Sequence, residues 1–191
     1  GIRVELVPRD RFEYTPEKRQ FFKTYADIKF GADMMTFERL DALFSTPIIS
    51  HLLVFTDEET KKEIGVATLY VEGKALAFYY YAFYDLNYYA RNLGMFMMTS
   101  AVERFAEGGV KHLYLGTCYS QTALYKTQFA GAEFFNGFRW SDDMDELKFI
   151  VKRDKKELTQ HLLETAAYRD EFYGGDVGNL VRASGFQVKL R

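Results

Sequence analysis

Apolar and polar side chains alternate over residues 2–7, a pattern that predicts a short opening strand. Thr15 and Pro16 then mark a helix start, since threonine caps a first turn and proline fits the first helical position. Phe21, Phe22 and Tyr25 follow at spacings that share one helix face. A second helix is predicted from Thr36 through Phe44, with Phe37, Leu40, Leu43 and Phe44 inward and Pro47 ending it. Three strands come next, over residues 52–56, 63–71 and 75–84. The charged stretch 57–62 and the turn Glu72-Gly73-Lys74 are short enough only for hairpins, so this meander is antiparallel.

From Tyr88 or Arg91 the pattern changes to a long helix reaching Glu107, with Phe96, Ala101, Val102 and Phe105 on or near one face. Gly108-Gly109 stops it. Residues 110–116 read as a strand reached through that helix, which makes a β-α-β unit with parallel strands. A short helix over 121–129, strands over 134–140 and 147–152, and an amphipathic helix over 155–173 are predicted to follow. The glycine-rich tail after Gly174 is expected on the surface or against a neighbour. The chain reads as one α+β domain over residues 1–191, with a mixed, mostly antiparallel central sheet, one β-α-β unit and flanking helices.

Composition narrows the function classes. The 191 residues carry 27 acidic and 25 basic side chains, a net charge of −2, which argues against a nucleic-acid binder over the whole surface and leaves a local basic patch open. Lys18, Arg19, Lys23 and Lys29 form one basic group; Lys152, Arg153, Lys155 and Lys156 form another, better suited to phosphates. The single Cys118 cannot form an internal disulfide and fits a reducing, cytoplasmic setting. Three scattered histidines, His51, His112 and His161, give no zinc-ligand spacing. The most apolar run, residues 75–84, is about half the roughly 20 residues of a membrane span, and no secretion signal opens the chain. A start at Gly1 rather than Met suits a processed, tagged or excised piece, from which an upstream domain could be missing.

The segment Arg91-Asn92-Leu93-Gly94-Met95-Phe96 opens the long helix. A glycine there lets backbone N–H groups approach an anion while the helix dipole favours negative charge. It equally allows close helix–strand packing, and Phe96 would crowd a pyrophosphate. The element order is similar to that of the acetyltransferase-like GNAT superfamily.

A longer pattern is more specific. Phe83-Tyr84-Asp85, Asn92-Leu93-Gly94, Tyr114-Leu115-Gly116 and Tyr125-Lys126-Thr127-Gln128-Phe129, with Glu133 after them, resemble the C-terminal domain of arginyl- and leucyl-tRNA–protein transferases in order and spacing. Phe21-Phe22-Lys23-Thr24-Tyr25 and Asp33-Met34 look like that family's opening helix and loop, so the resemblance covers residues 20–135. It implies a GNAT fold and transfer of an aminoacyl group from aminoacyl-tRNA to a peptide or small-molecule amine. The alternatives are an acetyl-CoA-dependent N-acetyltransferase and a non-catalytic binding domain of the same fold. No resident cofactor or metal is implied, and the oligomeric state stays open.

The resemblance and the chemistry together give a candidate site. Asp85, Lys126 and Tyr119 are the catalytic candidates. Donor or substrate binding falls to Tyr84, Arg91, Asn92, Leu93, Gly94, Met95, Tyr114, Gly116, Thr117, Cys118, Tyr125, Phe129 and Glu133. Each has a plainer reading. Asp85 would orient an amine or cap the next turn. Lys126 would meet a phosphate or carboxylate, or stand in solvent. Cys118 would pair with His112, or be a small buried thiol. The site is expected between the ends of the strands finishing at Tyr84 and Thr117.

Overall fold

In a computed structural model, which describes residues 1–184, β1 (Ile2–Pro8) pairs antiparallel with β2 (His51–Asp57). Between them lie α1 (Pro16–Phe30) and α2 (Phe37–Ser45). Thr15 caps α1 by accepting from Lys18 N–H, and Thr36 caps α2 by accepting from Arg39 N–H. β3 (Glu63–Glu72) and β4 (Leu76–Tyr84) extend the meander. α3 (Leu93–Glu107) then leads to β5 (His112–Tyr114), which pairs parallel to β4. The order β1-β2-β3-β4-β5, mostly antiparallel with one parallel edge, is the mixed sheet the sequence predicts.

These elements form a unit spanning Gly1–Gly116; a second unit spans Thr117–Arg191. The core of the first is aromatic. Phe22 of α1 stacks on Phe44 of α2 at 5.0 Å and meets Phe83 of β4 at 4.9 Å; Phe22 and Phe83 are fully buried. Such ring pairs add to the stabilisation from burial itself. α3 packs Met97 so near Gly65 of β3 that a Cβ there would meet its sulfur at 2.9 Å.

β4 is not regular. Its register against β3 slips between Ala67↔Ala82 and Leu69↔Tyr79, so Tyr80 and Tyr81 together face Thr68. The fully buried Thr68 hydroxyl fills the gap: it accepts from Tyr81 N–H at 3.0 Å and donates to Tyr81 C=O at 3.2 Å. A side chain here satisfies backbone groups that a bulge removes from the ladder.

The second unit differs from expectation. Residues 147–152, expected as a strand, lie in α4 (Met144–Arg153) because the Asp143 carboxylate accepts from Asp145 and Glu146 N–H and starts a helix. The strand expected over 134–140 is a tight hairpin of β6 (Phe134–Phe135) and β7 (Trp140–Ser141). Asn136 turns it, accepting from Phe138 and Arg139 N–H. The helix expected over 155–173 is only α5 (Ala166–Tyr173), because His161 and Glu164 form a reciprocal cap that starts a separate 3-10 turn at Leu162–Glu164. The 121–129 helix is a 3-10 turn, Gln121–Thr127. The tail after Gly174 carries α6 (Val177–Ala183), whose Leu180 is buried in a cluster with Tyr168 and Tyr173; its last residues lie outside the described ones.

Candidate functional site

The parallel pairing of β4 with β5 is brief. It joins Leu76 to His112, Ala77 to Leu113 and Phe78 to Tyr114, and then stops. β4 continues from Tyr79 to Tyr84 without that neighbour. The strands therefore part on the side where Tyr84 and Asp85 end β4 and where α3 begins.

At that end Tyr84 is buried, and its ring lies over α3: a Cβ on Gly94 would meet the Tyr84 hydroxyl and Cε1 at 2.9 Å. Of the two readings of Gly94, close packing is the one this contact favours. Asn92 adopts the left-handed conformation (φ 54°) and leads into α3. Leu93 is buried, Met95 partly buried, and Arg91 places its guanidinium 5.4 Å from the Tyr88 ring centre. Phe96 meets Phe55 edge-on at 6.2 Å and remains 41% exposed. Met95 and Phe96 N–H already donate to the Asn92 carbonyl at 3.0 Å, so the helix start is closed by its own cap residue.

Asp85 is buried and heavily engaged. Its Oδ1 accepts from Asn87 N–H and side-chain N–H at 3.0 and 2.8 Å, capping the 3-10 turn Leu86–Arg91. Its Oδ2 accepts from Lys62 Nζ at 2.6 Å. Burial pushes the Asp85 pKa up, but the Lys62 and Asn87 donors outweigh it and the net direction is down. Next to it, Asp57 takes the Tyr88 hydroxyl at 2.6 Å as well as Thr60 and Glu59 N–H, which hold its pKa down at about 2. These two carboxylates tie the β2–β3 turn to the segment entering α3. Sequence reading missed Asp57, Lys62 and Tyr88; all three partners are distant along the chain.

Tyr114, at the end of β5, is 40% exposed, and Gly116 has a positive φ of 84°. The remaining candidates belong to the second unit. There Lys126 Nζ donates to the Thr117 carbonyl at 2.9 Å, and its ionisable neighbour is Cys118. Burial lowers the Lys126 pKa and raises that of Cys118, each effect partly offset by the other group. The charged group that acts on the thiol is therefore Lys126. Tyr119 is 82% exposed and Tyr125 about half exposed, Phe129 is partly buried and Glu133 is exposed.

A second carboxylate cluster escaped the sequence reading. Glu146 of α4 is fully buried and accepts from Ser141 at 2.6 Å, Asn136 at 2.8 Å, Tyr173 at 2.9 Å and Tyr168, with Arg139 at 3.3 Å. Desolvation raises its pKa, yet this ring of donors brings the net direction down. Among the described residues no group of three or more His, Cys, Asp or Glu is placed to hold a metal, and no helix is long and apolar enough to cross a membrane.

Comparison with known proteins adds family evidence. The family model described as arginine-tRNA-protein transferase, C terminus, matches residues 17–136. An aspartate/glutamate leucyltransferase of Ruegeria pomeroyi is 31% identical over 132 residues, 66% of this chain and 48% of that protein. Another, of Ruegeria sp., is 28% identical over 183 residues, 93% of this chain and 62% of that protein. The chain thus spans about half to three fifths of the length of these relatives. Among solved structures, a possible acetyltransferase from Clostridium difficile 630 matches with a TM-score of 0.51 at 12% identity, over 73% of this chain and 97% of that one. That likeness is one of fold, and it agrees with the GNAT arrangement expected from the sequence.

Proposed function

Because this chain belongs to the family of the arginine-tRNA-protein transferase C terminus, we propose that it moves an aminoacyl group from aminoacyl-tRNA to the amine of a protein acceptor. The names of the matching relatives support a finer reading: leucyl as the group moved and aspartate or glutamate as the acceptor. The reaction forms a C–N bond between the acceptor amine and the acyl carbon and breaks the ester C–O bond to the tRNA ribose. The proton lost by the amine ends on the ribose oxygen. A transferase of this kind needs donors for the oxyanion and a route for that proton.

The observation that carries the reading is the parting of β4 from β5 beside the start of α3. It leaves the Tyr84 end of β4 free to hold an extended substrate. We assign Tyr84 hydroxyl a hydrogen-bonding role there. Asp85, committed to Lys62 and Asn87, is a positioning residue that fixes the turn into α3. Lys126 and Tyr119 stay catalytic candidates, and Tyr125 keeps the donor-binding role that the family pattern implies. A single Cys118 suits the reducing cytoplasm where charged tRNA is found.

The deciding experiment offers the purified chain labelled leucyl-tRNA, arginyl-tRNA and acetyl-CoA in parallel, with peptides beginning in Asp, Glu or Ala. Label passing from leucyl-tRNA to the acidic peptides is the expected result. Label passing only from acetyl-CoA overturns the reading, and no label from any donor favours a binding domain. Tyr84→Phe is expected to slow transfer about 10²-fold, the loss typical of one oxyanion-type donor.

A further inference from the structure

At the end of α4 the chain doubles back along residues 156–165 and encloses a groove of about 330 Å³. Its lining includes Phe149, Lys152, Arg153, Lys156, Leu158 and one acidic side chain, Glu157. The groove lies beyond residue 136, where the family match ends. We propose that this groove binds the phosphodiester backbone of the aminoacyl-tRNA donor, an inference that rests on the transferase reading above.

Charge and shape argue together. The chain as a whole is slightly acidic, with a net charge of −2, yet residues 152–157 carry Lys152, Arg153, Lys155 and Lys156 against Asp154 and Glu157. The cations divide their work. Arg153 is spent on the loop: it donates to Asp154 at 2.8 Å and to the Gln160 carbonyl at 2.5 Å, which holds the groove's far wall. Lys155 donates to Gln121 at 2.7 Å. Lys152 and Lys156 are exposed, and neither ammonium has a partner among the described residues. Two unpaired point charges on one rim suit successive phosphates, which lysine meets without needing a fixed fork geometry.

The floor is apolar. Phe149 packs edge-on against Phe172 at 5.5 Å, and Leu158 remains 51% exposed. A ribose or base edge can rest on such a surface while the phosphates stay on the rim. The carbonyls ending α4 carry partial negative charge that opposes an anion, so the lysines have to outweigh it.

The test measures binding of unacylated tRNA to the chain by fluorescence anisotropy from 50 to 300 mM KCl. Wild type is compared with Lys152→Gln/Lys156→Gln and with a charge-matched control, Lys74→Gln/Lys111→Gln, both exposed in the first unit. The expected result is a slope of log affinity against log salt that is smaller by about 2 for the groove variant alone, one for each phosphate contact removed. Lys152→Arg/Lys156→Arg should restore it. Groove and control variants that both match wild type, or that both weaken equally, would overturn the groove while leaving the donor reading intact. A wild type that does not bind tRNA would overturn both.

Discussion

Tyr84 and Gly94 are in such close contact that the helix can begin there only because residue 94 lacks a side chain. Alanine in place of glycine ordinarily strengthens a helix by up to about 1 kcal/mol. Here a Cβ would come within 2.9 Å of the ring, and overpacking costs about 1–3 kcal/mol, so the clash decides the sign. Gly94→Ala should lower stability in urea unfolding. In a Tyr84→Ala background the same change should cost markedly less, because the two residues share the space.

The Thr68 hydroxyl gives the β4 bulge its shape. Thr68→Val keeps size and branching but leaves Tyr81 N–H and C=O without their buried partner, a loss of about 1–3 kcal/mol. Thr68→Ser retains the hydroxyl and should recover the hydrogen-bond part of that loss. Equilibrium unfolding of the two variants separates the contributions, and amide exchange at Tyr81 should quicken only in the valine variant.

The buried Glu146 makes stability depend on pH. Its donors hold the folded-state pKa below the unfolded value, so the folded chain favours the charged carboxylate. That contribution is fully present above the unfolded pKa of roughly 4.3 and is lost as pH falls through the lower, folded value. Glu146→Gln should remove this acid-side slope from unfolding midpoints measured between pH 6 and pH 3. It should also destabilise at neutral pH by about 1–3 kcal/mol, since the Ser141, Tyr168 and Tyr173 donors would lose their charged acceptor.

Cys118 should alkylate slowly at neutral pH, because burial raises its pKa and leaves little thiolate. Lys126 works in the opposite direction, so Lys126→Ala should push the thiol higher still and slow iodoacetamide further. A pH–rate profile of alkylation reads both shifts. A faster reaction in the variant would contradict the assigned neighbour.

The sheet of the first unit was legible because short charged hairpins and strand alternation leave little choice of topology. The caps at Thr15 and Thr36 were equally plain. The second unit was not. Leu147, Phe149, Ile150 and Val151 form an apolar run that suits either period, and only the Asp143 cap makes it helical. Glu146 reads as a surface charge until Ser141, Tyr168 and Tyr173 close around it from separate elements. At the candidate site, the family pattern picked out Tyr84, Asp85 and Gly94. It could not reveal that Lys62 and Asp57 arrive from the neighbouring turn, since those contacts follow the fold and not the sequence spacing.

The three-residue seam between β4 and β5 has a mechanical consequence. Only Leu76, Ala77 and Phe78 are held from the β5 side; beyond them β4 relies on β3 and the helices. At the Tyr84 terminus side chains stand in for the missing neighbour: the Tyr25 ring lies 4.8 Å away, and Asp85 is tied to Lys62 and Asn87.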